Sequence, residues 1–165
     1  MNGGIVQMSI FLDNCQDLES ITADLYHLFA DYFSSDKYVA RLWRKTALEE
    51  ENHARQVKLA KKLIRNIVGI NLDFLHHISI SQEKIRTIVK QCRACPPDLE
   101  EALRVSIKFE EQMEKFHMHN AICLQGKSVN ALFVAMMESD RGHITELQKE
   151  LDKLLALRQP MKMAG

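Results

Sequence analysis

The two halves of this 165-residue sequence repeat one arrangement of carboxylates and imidazoles. Each half contains a carboxylate three residues before a histidine, and a lone glutamate 31 or 30 residues upstream of that carboxylate. The residues are Glu19, Glu50 and His53 in the first half and Glu110, Asp140 and His143 in the second. Residues three apart on a helix project from one face, about one turn apart. The repeat therefore constrains the chain to helices that present these side chains together.

Apolar residues at three-and-four spacing fill most of the chain and predict four long helices. Their predicted bounds are residues 9–33, 37–68, 99–124 and 128–157. Ser34–Asp36 is predicted to be a turn that caps the second helix, and Gly69 to end that helix. Asp98 and Ser128 are the predicted N-caps of the third and fourth helices. Short turns join antiparallel neighbours, so the four helices should form two hairpins.

Residues 69–98 differ from the rest and are interpreted as a crossover between the two hairpins. They are predicted to contain a short helix from Ser81 to Cys92, and a solvated loop that carries His76 and His77. No strand pattern competes with this interpretation. The chain is therefore predicted to be a single all-α domain over residues 1–165, a ferritin-like four-helix bundle with one long connection.

The composition excludes several classes of partner. Twenty-two basic residues balance 22 acidic ones, which gives no argument for binding to nucleic acid or to a membrane surface. The longest apolar runs, such as Ala131–Met137, are too short to span a bilayer. Met1–Asp13 lacks the pattern of a secretory signal. We therefore expect a soluble, cytoplasmic protein.

The repeated carboxylates and histidines are expected to face the core. Helical wheels place them within the apolar arcs and point Glu51 and Glu111 away; Glu19 lies at the border of its arc, beside Tyr26. No lysine or arginine is in register to pair with these carboxylates. A buried, unpaired carboxylate costs several kcal/mol and is usually paired or bound to metal. Four carboxylates and two imidazoles are the ligand set of di-iron and di-manganese helical bundles.

The sequence resembles the rubrerythrin-like branch of the ferritin-like superfamily over about residues 10–157. The motifs that carry the resemblance are Glu19 with Tyr26, Glu50-Glu51-Asn52-His53, Glu110 with His117, and Asp140-Arg141-Gly142-His143. The resemblance implies a di-iron centre bridged by carboxylates. It makes Glu19 and Asp140 terminal ligands, Glu50 and Glu110 bridging ligands, and His53 and His143 the histidine of each iron. Tyr26, His117 and Glu114 are candidates for groups that contact these ligands.

Three features depart from that family. Asp140 stands where the family usually has Glu, and His117 where a Tyr is common. The third departure is from rubrerythrins proper, because Met113 occupies the position of their further third-helix Glu ligand and the two C-x-x-C pairs of their rubredoxin segment are missing from this sequence. The last departure weakens the transfer of peroxidase activity in particular.

The four cysteines are too few for a disulfide scaffold. Cys92 and Cys95 form a lone C-x-x-C, which is either a redox-active pair or two ordinary thiols. Cys15 and Cys123 are predicted to be buried in helices.

The leading functional hypothesis is a di-iron oxidoreductase that reduces hydrogen peroxide or dioxygen. Carboxylates suit Fe(III) and imidazoles hold Fe(II), so such a site can cycle between the two states. Its electrons would come from a separate donor protein, and a homodimer is expected. The alternatives are a non-catalytic bundle that binds iron, Zn(II) or Mn(II), and a metal-free bundle that serves in interactions.

Overall fold

The computed structural model describes residues 3–63, 72–124 and 126–158, and within these ranges the chain forms five helices and no strand. The helices are α1 (Gly3–Tyr32), α2 (Lys37–Leu63), α3 (Leu72–Ala94), α4 (Leu99–Cys123) and α5 (Lys127–Arg158). The predicted all-α bundle is thus confirmed. Over the described ranges, no helix combines the length and the apolar character needed to cross a bilayer.

Two helix pairs form the body of the molecule, because α1 packs along α2 and α4 packs along α5. The predicted caps at Asp36 and Asp98 are confirmed: Asp36 accepts from the Val39 N–H at 3.1 Å, and Asp98 from the Glu101 N–H at 2.9 Å. Gly126, with φ near +128°, adopts a conformation that favours glycine and precedes α5. Since α5 begins at Lys127, Ser128 lies in its first turn rather than at its N-cap.

The crossover contains a longer helix than predicted. α3 spans 23 residues, because buried side chains recur along one side of it and pack on α1; they are Ile78, Ile85, Val89 and Cys92. His76 and His77 are exposed on this helix, so the prediction of a loop there was wrong. α1 likewise begins at Gly3, before its predicted start. The predicted end of the second helix at residue 68 and the stop at Gly69 lie outside the described residues.

One hydrophobic core draws residues from all five helices. Its largest fully buried side chains include Phe11, Tyr26 and Phe29 on α1, Trp43 on α2, Ile78 on α3, Leu103 on α4 and Phe133 on α5. α2 also meets α5, which brings the two helix pairs together. Among the described residues, the buried charged side chains include Glu19, Glu50, His53, Glu110, Asp140 and His143.

Candidate metal centre

Four helices bring the six sequence-predicted ligands together in the core. The ligands are Glu19 on α1, Glu50 and His53 on α2, Glu110 on α4, and Asp140 and His143 on α5. Their exposed fractions lie between 0% and 5%, so each is almost completely shielded from solvent. The inward orientation predicted from the helical wheels is confirmed, including that of Glu19 at the border of its arc.

The first ligand group joins α1 to α2. Glu19, Glu50 and His53 each offer a ligand atom, and these atoms lie within 4.8 Å of one another. His53 Nδ1 is 3.4 Å from Glu19 Oε2 and 3.3 Å from Glu50 Oε2. Two carboxylates and one imidazole therefore surround one position that could hold a cation.

The second ligand group joins α2, α4 and α5. Glu50, Glu110, Asp140 and His143 place ligand atoms within 4.8 Å of one another. His143 Nδ1 is 3.0 Å from Glu50 Oε1 and 3.2 Å from Glu110 Oε2. Glu50 thus belongs to both groups, with one oxygen toward each histidine, whereas Glu110 belongs only to the second. This arrangement suits a bridging Glu50.

His117 holds two of the carboxylates in place. Its Nδ1 lies 2.7 Å from Asp140 Oδ2, and its Nε2 lies 3.2 Å from Glu19 Oε1. All three side chains are fully buried. Among the described residues, the opposite oxygens make no hydrogen bond; Glu19 Oε2 has only the 3.4 Å ion-pair contact with His53 Nδ1, and Asp140 Oδ1 is buried without a hydrogen-bond partner. His117 therefore restrains one oxygen of each carboxylate and leaves the other available as a ligand.

Tyr26 restrains one oxygen of Glu110, as His117 does for Glu19 and Asp140. Its buried hydroxyl donates to Glu110 Oε1, while Glu110 Oε2 faces His143. The predicted neighbours Tyr26 and His117 thus both contact ligands. Glu114 instead pairs with Arg141 at 2.5 Å, away from the six residues.

Sequence reasoning missed Glu49. This partly exposed carboxylate lies 2.8 Å from His143 Nε2, the ring nitrogen that faces away from the cluster. Its position next to Glu50 was the available signal, since adjacent helical residues point about 100° apart and one neighbour can border the buried arc. The contact itself depends on the packing of α2 against α5. Glu49 therefore orients the His143 ring, as carboxylates commonly orient metal-binding histidines.

Protons on the imidazoles offset the negative charge of the cluster. Burial alone lowers the pKa of His53, but contacts with Glu19 and Glu50 outweigh burial and raise it to about 10. The pKa of His143 is also raised, because its carboxylate partners, Glu110 first, outweigh burial. Burial raises the pKa of Glu19, yet its contacts with His117 and His53 outweigh burial and lower it to about 2. For Glu110, burial and the charge of Glu50 raise the pKa.

The residues present fit a pair of divalent cations. Glu50 Oε1, Glu19 Oε2 and Asp140 Oδ1 are buried without a hydrogen bond among the described residues. Glu50 Oε1 and Glu19 Oε2 have only ion-pair contacts with histidine nitrogens, at 3.0 and 3.4 Å. Unsatisfied buried oxygens are unfavourable unless a cation or another partner compensates them. Four carboxylates balance the charge of two divalent ions while the imidazoles remain neutral ligands. Oxygen and imidazole donors suit iron, manganese and zinc alike, so these ligands do not identify the metal.

Of the cysteines, Cys15 lies one turn before Glu19 on α1, and burial first, then the charge of Glu19, raises the pKa of its thiol. Cys15 is buried, as predicted, but Cys123 is exposed at the last residue of α4, so the prediction for Cys123 was wrong. Comparison with known proteins adds no assignment, since no family model, curated protein or solved structure matches the chain.

Proposed function

We propose that this protein is a rubrerythrin-like, di-iron carboxylate protein with a ferritin-like bundle. It acts as an oxidoreductase that reduces hydrogen peroxide or dioxygen with electrons from a separate donor protein. The observation that supports this proposal most is the position of Glu50 in two adjoining ligand groups. Because these groups contain four carboxylates and two imidazoles, they match the composition expected of a dinuclear carboxylate site.

Each residue has a definite part in the proposed site. Glu19, Glu50 and His53 hold one ion, and Glu50 joins them to Glu110, Asp140 and His143, which hold the other. When bound, the iron ions supply the electrons that reduce the oxidant. His117 and Tyr26 keep the carboxylates oriented by binding their outer oxygens. The surrounding core excludes bulk water, and Glu49 connects His143 to the surface.

Iron loading followed by peroxide addition tests this proposal. Protein reconstituted anaerobically with Fe(II) should change its visible absorption when peroxide is added, and should consume peroxide catalytically when ascorbate supplies electrons. Glu50→Ala should abolish the activity, because the substitution removes a ligand from both groups. Glu51→Ala is the matched control, since Glu51 pairs with His27 and Arg55 near the surface. Catalysis by Glu50→Ala at the wild-type rate would contradict the proposal.

The second candidate is a protein that binds iron, Zn(II) or Mn(II) without turnover. The near-complete burial of all six ligands favours it, because a closed ligand shell restricts the access of an oxidant. Purified protein that carries zinc after expression in iron-rich medium, and that leaves peroxide unchanged after iron loading, would support this candidate. If the protein is instead a metal-free bundle that serves in interactions, adding metal should leave its thermal stability unchanged.

A further inference from the structure

A cavity of about 410 Å³ lies between α1, α3 and α4, and both thiols of the C-x-x-C motif line it. Cys92 is in the last turn of α3, and Cys95 directly follows that helix. The side chains of Phe29 and Phe109 form apolar parts of the same wall. Because Cys92 and Cys95 line the same cavity, they can react with each other, whereas Cys15 and Cys123 have no second cysteine nearby in the sequence.

The end of α3 allows these thiols to form a disulfide. Side chains three residues apart on a helix have Cβ atoms about 5–6 Å apart, and a disulfide needs about 3.5–4.5 Å. Cys95 lies one residue beyond α3, and its N–H donates to the Gln91 carbonyl at 2.8 Å, so closing this gap requires this one hydrogen bond at the helix end to break. The Tyr32 hydroxyl donates to the Cys92 carbonyl at 3.0 Å and ties this helix end to α1. Cys95 is exposed and therefore accessible to an external reductant.

Aromatic rings connect this cavity to the candidate metal centre. Phe29, in the cavity wall, lies 5.1 Å from Trp43 between ring centroids, and Trp43 stacks on Tyr26 at 5.6 Å. Tyr26 then donates to Glu110, a ligand of the second group. All three rings are fully buried. A series of buried rings thus leads from the cavity that the two cysteines line to a carboxylate of the candidate metal centre.

We propose that Cys92 and Cys95 form a redox-active dithiol that delivers two electrons to the metal centre, past Phe29 and along Trp43 and Tyr26. This inference rests on the proposed function and identifies where its electrons enter. As the sulfur–sulfur bond forms, the thiols lose two protons and two electrons. Iron ions, when bound by the six ligands, would take up these electrons, and the two protons would end in the water formed from peroxide. The net reaction converts one dithiol and one hydrogen peroxide into one disulfide and two waters.

The dithiol supplies the number of electrons that the reaction needs, because peroxide reduction takes two electrons and the formation of one disulfide releases two. A disulfide that is exposed or strained is readily reduced by another dithiol. An external dithiol protein that attacks Cys95 would therefore complete the cycle. Trp43 and Tyr26 lie between the two redox groups in this scheme, since Trp43 contacts Phe29 and Tyr26, and Tyr26 donates to Glu110.

Thiol counting tests the inference with the full chain. Iron-loaded protein with its four cysteines reduced is treated with a small excess of hydrogen peroxide, with no other reductant present. Under denaturing conditions, the thiol count should fall from four to two, and mass spectrometry should assign an internal bond between Cys92 and Cys95. Zinc-loaded protein, which offers the same fold without redox chemistry, should lose thiols about tenfold more slowly. Cys123→Ser should still lose two thiols.

Two variants test the path itself. Trp43→Phe and Tyr26→Phe, loaded with iron to the wild-type level, should each slow thiol loss by about tenfold. If the iron-loaded and zinc-loaded wild-type proteins lost thiols at the same rate, the inference would be overturned. This comparison requires no substitution. A thiol count that stays at four would also overturn the inference. If wild-type protein binds iron and consumes peroxide with ascorbate while its thiols persist, only the dithiol inference fails. If iron does not bind, the proposed function fails.

Discussion

His117 Nδ1 lies 2.7 Å from Asp140 Oδ2, and this fully buried contact ties α4 to α5 beside the candidate metal centre. The other ring nitrogen of His117 reaches Glu19 on α1 at 3.2 Å. Contacts with both carboxylates outweigh burial and raise the pKa of His117 to about 10. One imidazole thus positions two predicted ligands from different helices.

His117→Ala should weaken metal binding by about 10- to 100-fold, because it frees two ligand carboxylates to reorient. It should also lower the free energy of unfolding of metal-free protein by about 3–5 kcal/mol, since buried carboxylates lose their partner. Competition with a chelator and urea denaturation measure the two effects. His119→Ala, an exposed position on the same helix, should change stability by less than about 0.5 kcal/mol. Equal metal affinity in both variants would contradict a role for His117.

Tyr26→Phe removes only the hydroxyl that donates to Glu110. We expect a loss of about 1–3 kcal/mol in the free energy of unfolding, because a buried carboxylate oxygen loses its donor. The absorption spectrum of iron-loaded protein should also shift, since Glu110 becomes free to turn. Tyr38→Phe is the control, as Tyr38 is 59% exposed. If both variants unfolded at the same urea concentration, the hydrogen bond would contribute nothing.

Metal-free protein should be most stable in mildly acidic solution. The pKa shifts of its buried groups determine how stability falls at lower and at higher pH. The raised pKa of His53 contributes stability that is complete below about pH 6.5 and is lost as the pH approaches about 10. The lowered pKa of Glu19 contributes stability that is present above about pH 4.5 and is lost toward about pH 2. The pKa of Glu110 is raised by burial first and then by the charge of Glu50, so Glu110 reduces stability as the pH rises above about 4.5.

Urea unfolding across this pH range measures the effect, and His53→Gln should flatten the alkaline decline. A stability that rises steadily from mildly acidic to alkaline pH would show that the histidines are not protonated partners of these carboxylates.

Metal binding should release protons at neutral pH. His53 and His143, whose pKa values are raised by neighbouring carboxylates, must lose their protons before their nitrogens can act as ligands. Affinity should therefore increase as the pH rises. Calorimetric titration with Zn(II) in buffers of different ionisation enthalpy counts the released protons, with about two expected per chain. Binding without proton release would place the metal elsewhere.

Much of the fold could be predicted from the sequence, because long amphipathic segments and their caps are local features. Asp36 and Asp98 cap helices as expected. The extent of α3 could not be predicted in this way. Its apolar positions alternate with polar ones, and Ile78 and Ile85 become buried only because α1 covers them. The exposure of Cys123 likewise depends on how α4 ends.

The candidate site was predictable to the level of side-chain direction. Helical periodicity distinguished Glu50 from Glu51, since the two point about 100° apart. It could not predict that His117 contacts both Asp140 and Glu19, because three helices must pack before these groups meet. The contact of Glu49 with His143 depends on the same kind of packing between α2 and α5.

Anaerobic titration with Fe(II) tests the central claim most directly, because it counts the ions held by the two groups that share Glu50. Wild-type protein should bind two irons per chain, as should the Glu51→Ala control. Glu50→Ala should lose both, since each group then lacks a ligand. Wild-type binding of much less than two irons per chain, or full binding by Glu50→Ala, would contradict the account.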